Sequence, residues 1–305
     1  MRAVLLHLDD ALLSQPRLRQ AVCDGGGQLL NYCDLGPALR LWSRPPALDR
    51  LRQRLAAALP ADFGPALVFS GSGDFHHITP LLLERALAAA GNPRVTVLHF
   101  DNHPDWVKFS PGSHCGSWVG QVCRLPQVER VLTVGVCSTD IARPKAKGAD
   151  LHLIEADKLE IYAYATGGSG AVELCSRRWP TIQAMGEAAF TDFLPSRIGT
   201  EAVYVTIDKD VLRSEDAATN WDQGRTSLAF LKSLLASGLK NHRLIGADVV
   251  GDWSAPVYGG GALARAMKQA EALLDKPWAA PPRTRVAGNE GVNLALLDQF
   301  LVGAA

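Results

Sequence analysis

Val95-Thr96-Val97-Leu98-His99-Phe100-Asp101-Asn102-His103-Pro104-Asp105 is the stretch on which the reading of this chain turns. Its first part is a short β-branched run, and it gives way at Asp101 to a dense cluster of metal-ligating side chains. Three other runs do the same. Ala66–Ser70 leads into Gly71-Ser72-Gly73-Asp74-Phe75-His76-His77, Ala202–Ile207 into Asp208-Lys209-Asp210, and Arg243–Val250 into Gly251-Asp252-Trp253. In open parallel sheets ligands bind outside the carboxyl ends of the strands, so these four clusters are expected to converge.

Outward from these runs, β-branched segments alternate with amphipathic ones, the signature of a parallel sheet covered by helices. The strands expected are Ala66–Ser70, Arg94–Phe100, Arg130–Val136, Ala202–Ile207 and Arg243–Val250, with weaker candidates at Ala3–Leu8 and Leu151–Ile154. Helices are expected at Ala47–Ala58, Thr79–Ala90, Ser227–Ser237 and Ala262–Leu274. Thr79-Pro80 reads as an N-cap and first turn, with Gly91 just past the helix end. Trp278–Gly288 reads as a loop before a short helix near Asn293–Leu301, and 160–200 has no clear period. The expectation is one three-layer α/β domain over 1–305 with a mostly parallel sheet, without internal repeats.

Composition narrows the function classes. Lysine plus arginine and aspartate plus glutamate both number 31, so the formal charge is zero. That argues against a nucleic-acid or anionic-membrane partner, each of which selects for a basic excess. No run approaches the ~18 uninterrupted apolar residues of a membrane span. The amino-terminal run has no cleavage-site pattern, and the six cysteines contain no Cys-x-x-Cys pair. Free thiols in a reducing cytoplasm are the expectation.

Spacing sharpens the chemistry. Side chains two apart on extended backbone share a face, so Asp101 and His103 can point together, as can Asp208 and Asp210, with Lys209 turned away. Four converging carboxylates repel, and one at least must take up a proton unless cations intervene. Two divalent ions remove the conflict. Four carboxylates and two imidazoles suit Mn²⁺ best, with Fe²⁺, Co²⁺, Ni²⁺ and Zn²⁺ as alternatives.

Asp101-Asn102-His103-Pro104-Asp105 resembles the Asp-x-His-x-Asp motif of the arginase/agmatinase/formiminoglutamase (ureohydrolase) family. Thr206-Ile207-Asp208-Lys209-Asp210 is similar to its Ser/Thr-x-Asp-x-Asp motif. Asp74-Phe75-His76-His77-Ile78-Thr79 resembles its Gly-Gly-Asp-His-Ser-Ile-Thr run with one residue inserted, which places the ligand histidine at His76 rather than His77. The resemblance covers about Phe69 to Pro256 and implies the arginase/deacetylase fold, two Mn²⁺ per chain, and a homo-oligomer. It implies that Asp101 and Asp208 bridge the ions, with His76 and Asp105 completing one site and His103 and Asp210 the other. A metal-bridging hydroxide would attack the carbon of a guanidino, amidine or formimino compound. His114, in Ser113-His114-Cys115-Gly116, resembles the family's active-site histidine and would carry a proton to the leaving amine.

Two departures bear on the substrate. Asp210 is followed by Val211-Leu212-Arg213-Ser214, where the family has Leu-Asp-Pro. The family places a glutamate three residues after the aspartate of the last strand; counting from Asp248 puts Gly251 there. The expected substrate is therefore a small molecule other than L-arginine, held by Asp252, with Trp221, Asp222 and Trp253 lining the pocket. The competing functions are a zinc-dependent deacetylase of the same fold and a non-catalytic metal-binding relative. Among the remaining residues, His77 and His99 read as core or outer-layer histidines, Gly71-Ser72-Gly73 as a tight turn rather than a phosphate loop, and Tyr258-Gly259-Gly260-Gly261 as a hinge.

Overall fold

The computed structural model describes residues 1–302 apart from Lys147, Ser169 and Trp278, and excludes the side chains of Ala61 and Val302. Eight strands form one wholly parallel sheet: β1 (Arg2–His7), β2 (Gln28–Asn31), β3 (Ala66–Phe69), β4 (Val95–Phe100), β5 (Val128–Val134), β6 (Leu159–Tyr162), β7 (Ala202–Asp208) and β8 (Arg243–Val250). Their order is β2-β1-β3-β8-β7-β4-β5-β6. Helices cover both sides, as the three-layer expectation requires.

The order explains the site. The four strands whose ends carry the polar clusters, β3, β8, β7 and β4, are consecutive neighbours at the centre of the sheet. They are buried on both faces, which is why they read as near-continuous apolar runs rather than alternating ones. Register sets the clusters level: Ile207 pairs with Phe100 and with Val249, so the residues that follow emerge together.

The principal helices are α1 (Pro16–Asp24), α2 (Pro45–Ala58), α3 (Thr79–Ala89), α4 (Leu228–Leu239), α5 (Ala262–Asp275) and α6 (Arg283–Val302). Helix α3 has proline in its first turn and buries Leu81, Leu82, Leu83, Ala86 and Leu87; Gly91, at φ 81°, turns the chain beyond it. Thr79 does not cap it. Its hydroxyl donates instead to Asp248, 3.0 Å away.

Three expectations are corrected. Leu151–Ile154 is no strand: His152–Glu155 is a helical turn, and the strand lies beyond it at β6. A stretch as short as Leu151-His152-Leu153-Ile154 suits either state, and only its packing decides. The loop assigned to Trp278–Gly288 is helical from Arg283, and α6 runs 20 residues rather than the short segment Asn293–Leu301; Trp278 lies outside the described residues. The apolar stripe of α6, Val292, Leu296, Leu297 and Phe300, marks only its second half, whereas its middle docks through polar side chains. Glu290 accepts from the Arg17 guanidinium, Asn289 bonds both backbone groups of Ala218, and Asn293 reaches Gln15, Lys209 and Asp252. Within 160–200 the chain forms β6 and an antiparallel hairpin of Ala171–Leu174 with Arg177–Pro180. Among the described residues no helix is long and apolar enough to cross a membrane, and the six cysteines are unpaired.

Candidate metal centre

Two groups of potential ligand atoms form at the centre of the sheet's carboxyl edge. One holds His76, His99, Asp101 and Asp105; the other holds Asp101, His103 and Asp210; within each, the atoms lie within 4.8 Å of one another. Asp101 belongs to both. Asp208 stands beside the first group, its Oδ2 3.9 Å from His76 Nδ1 and its Oδ1 accepting the Asp210 backbone N–H at 3.0 Å. All six residues expected as ligands are thus brought together. His77 is not: it is buried, and neither ring nitrogen has a hydrogen-bond partner.

The two histidines are oriented alike. Thr206 donates its single hydroxyl proton to Asp248 Oδ1 at 2.8 Å, so it can only accept from His76 Nε2, also 2.8 Å away. The proton of a neutral His76 is therefore on Nε2, and the Nδ1 lone pair faces inward. It lies 3.1 Å from Asp101 Oδ2 and 3.1 Å from Asp105 Oδ2 without a well-directed hydrogen bond to either. His103 Nε2 sits 2.9 Å from Asp222 Oδ1, a carboxylate that only accepts, and its Nδ1 faces Asp210 Oδ2 at 2.9 Å. Such outer partners fix the tautomer of metal-binding imidazoles.

Lone pairs of nitrogen and oxygen crowded together in a buried place demand positive charge. In the bare protein that charge is protons. Burial and the Asp101 carboxylate push Asp208 up to about 7. Burial with Asp101 and Asp208 raises Asp210 well above the carboxylate range. Burial opposes the charged form of His76, yet the adjoining Asp101 and Asp105 raise it well above the ordinary value. Burial likewise opposes ionised Asp101, but His103, His76 and His99 hold it far below the usual range. Divalent cations supply the same compensation, and the donor set of carboxylates and imidazoles fits them.

Several contributors escaped the sequence reading. His99 is the satisfied core histidine expected, but its Nε2 bonds Asp101 Oδ2 at 2.9 Å, while Nδ1 meets Thr133. The alternation that pairs Asp101 with His103 also puts His99 on their face, so the signal was present. Trp118 donates to Asp105 Oδ2 at 2.5 Å and packs its ring 4.8 Å from both His76 and His99. Asp105 itself adopts φ 48°, a conformation non-glycine residues rarely take. Asp74 is fully buried between Arg40, Trp221 and Lys276.

A cavity of about 520 Å³ opens over the centre, lined by His76, Asp101, His103, Asp105, Asp208 and Asp210 together with His114, Trp221, Asp222 and Glu271. His114 Nδ1 accepts the Gly116 N–H at 2.8 Å, leaving Nε2 to donate to Glu271 at 2.5 Å. Trp221 and Asp222 line the cavity as expected, though Asp222 also orients His103. Asp252 and Trp253 do not. Asp252 is turned under the sheet edge, where Lys209 Nζ, Gln15 and Asn293 all bond its carboxylate, and Trp253 lines a separate cavity with Tyr258. The alternation that turns Lys209 away from its neighbours is what draws Asp252 after it. Burial pushes the Cys115 thiol well above its ordinary range, which suits an inert side chain.

No protein-family model matches the sequence, and no curated protein does. Solved structures do resemble it. A hypothetical agmatinase from Burkholderia thailandensis aligns over 98% of this chain and 86% of its own, at 18% identity and TM-score 0.59. Arginase from Bacillus caldovelox aligns over 100% and 98%, at 15% identity and TM-score 0.60. Proclavaminate amidino hydrolase from Streptomyces clavuligerus aligns over 99% and 92%, at 16% identity and TM-score 0.58. Nearly the whole chain therefore has the α/β fold of the arginase, agmatinase and amidino hydrolase structures.

Proposed function

We propose that the protein is a dinuclear-metal hydrolase that cleaves a C–N bond of a guanidino, amidine or formimino compound. The observation that carries the proposal is the inward Nδ1 of His76, fixed by Thr206 and facing Asp101, Asp105 and Asp208. His76 and Asp105 would hold one ion, His103 and Asp210 the other, and Asp101 and Asp208 both. Mn²⁺ is the ion proposed. Bound there, such a pair lowers the pKa of water enough to supply a nucleophile at neutral pH and acts as a Lewis acid.

The chain's own residues do the rest. Thr206 and Asp248 keep His76 in one tautomer, and Asp222 does this for His103. His114 lines the cavity with Nε2 bonded to Glu271, and it would take a proton from the attacking water and pass one to a departing amine, returning to its neutral form. Trp106, Phe109 and Trp221 supply apolar wall that limits water around the reacting carbon.

L-Arginine is not the proposed substrate. Gly251 has no side chain to hold a guanidinium, and Asp252 is engaged by Lys209. Metal content and product release test the reading together. Protein reconstituted with Mn²⁺ is expected to hold two ions per chain and to release urea, ammonia or formamide from a member of a panel. That panel contains L-arginine, agmatine, guanidinobutyrate and formiminoglutamate. One tightly held zinc, unchanged by added manganese, would point to deacetylase chemistry; two ions with no turnover would point to a non-catalytic relative.

A further inference from the structure

Glu271 belongs to no strand end. It lies within helix α5, half-buried, and lines the same cavity as His76, His103 and Asp105. Its carboxylate is fixed at both oxygens, Oε1 by His114 Nε2 at 2.5 Å and Oε2 by the Trp42 indole N–H at 3.1 Å. The helix is itself pinned in place. Lys276, just past its end, pairs with buried Asp74, and Lys268 donates to the Ala38 carbonyl at 3.1 Å over the Trp42 ring. Each carboxylate oxygen has two acceptor directions, so one remains at each.

A cationic amidine or guanidinium group needs a carboxylate that is not a metal ligand, since a ligand's charge is already balanced by its ion. The end of β8 cannot supply it. Gly251 has φ 95°, and a Cβ there would fall 2.4 Å from both Asp208 Oδ1 and the Lys209 nitrogen. Asp252 points elsewhere. Of the other acidic groups on the cavity wall that are not proposed ligands, Asp222 is bonded by His103 and Asn102, Asp140 accepts from Ser138 at 3.1 Å, and Asp275 is exposed at the helix end. Glu271 alone among these is both held rigid and placed beside the proposed proton carrier.

We propose that Glu271 is the specificity-determining residue that receives the substrate's positive charge, so that charge recognition comes from α5 rather than from β8. This rests on the hydrolase reading above. Calorimetric titration of Mn²⁺-loaded protein with methylguanidinium and with its neutral counterpart N-methylurea tests it without turnover. The wild type is expected to prefer the cation, and Glu271→Gln to lose ~10- to 100-fold of that preference, as loss of a partly buried charge-assisted contact does. Glu271→Asp, which keeps the charge, is expected to retain part of the preference. Metal content is measured on every sample. If Glu271→Gln holds its ions yet binds methylguanidinium as the wild type does, or loses affinity for both probes equally, Glu271 does not recognise charge. A wild type that holds no ion pair overturns the hydrolase reading itself.

Discussion

Gly251 and Asp208 adjoin so closely that position 251 has no room for a side chain: a Cβ there would fall 2.4 Å from Asp208 Oδ1. On the other side, a Cβ at Gly73 would fall 2.4 Å from Asp208 Oδ2. The proposed bridging carboxylate is thus seated between two glycines from neighbouring strand ends. Gly251→Ala is expected to displace it, lowering metal occupancy and costing ~1–3 kcal/mol in backbone strain at φ 95°. Elemental analysis after dialysis, with thermal unfolding alongside, checks this. Unchanged occupancy in Gly251→Ala would show that the seat is loose.

The His76–Thr206–Asp248 chain predicts an effect without touching a ligand. Thr206→Val keeps the shape of the side chain and removes the hydroxyl that fixes His76. Metal affinity is expected to fall ~10- to 100-fold, as for other outer partners of ligating histidines. Competition with a chelator measures it. His77→Ala is the control and is expected to leave affinity unchanged; an equal loss there would shift the ligand to His77.

Asp222→Asn should act on the other ion. It leaves His103 in place but can present N–H rather than oxygen to Nε2, which frees the ring to adopt the wrong tautomer. Occupancy is expected to drop from two ions toward one, with the fold intact by circular dichroism. Simultaneous loss of both ions would contradict the separate assignment of His103 and His76.

Asp252 is expected to matter to stability rather than recognition. Asp252→Ala leaves the Lys209 ammonium buried without its carboxylate partner, and breaking such a pair costs ~3–5 kcal/mol. Urea denaturation should show that loss while the ranking of substrates in the panel stays as in the wild type. A changed ranking would return Asp252 to the binding site.

Far from the cavity, Glu160 gives a pH prediction with a definite sign. Burial opposes its charge, but Arg197, Tyr162 and Arg130 outweigh it and hold the carboxyl below its ordinary 4.5. A depressed folded-state value adds stability above the unfolded value and loses it as pH falls through the folded one. The stability gap between wild type and Glu160→Gln should therefore be constant near neutrality and narrow below about 4.5. A gap that persists undiminished at pH 3 would rule out this origin.

By itself the sequence determined the layered parallel sheet and the convergence of four strand ends. Both follow from local patterns, apolar runs buried on two faces and polar clusters beyond them, that need no distant partner to be read. The same alternation placed Asp101 with His103 and Asp208 with Asp210 and turned Lys209 away. Tertiary structure decided whatever depends on a partner far along the chain. Asp252 lies at a strand end like the ligands, but Lys209, Gln15 and Asn293 take its carboxylate away from the cavity. Glu271 sits on an ordinary amphipathic helix, and only packing brings it to His114, 157 residues earlier. Helix α6 hid its length because only Val292, Leu296, Leu297 and Phe300 form an apolar stripe, while Asn289, Glu290 and Asn293 dock through polar contacts, some to partners more than 270 residues away. Periodicity reports the side on which a residue lies; it carries no information about which distant group meets it there.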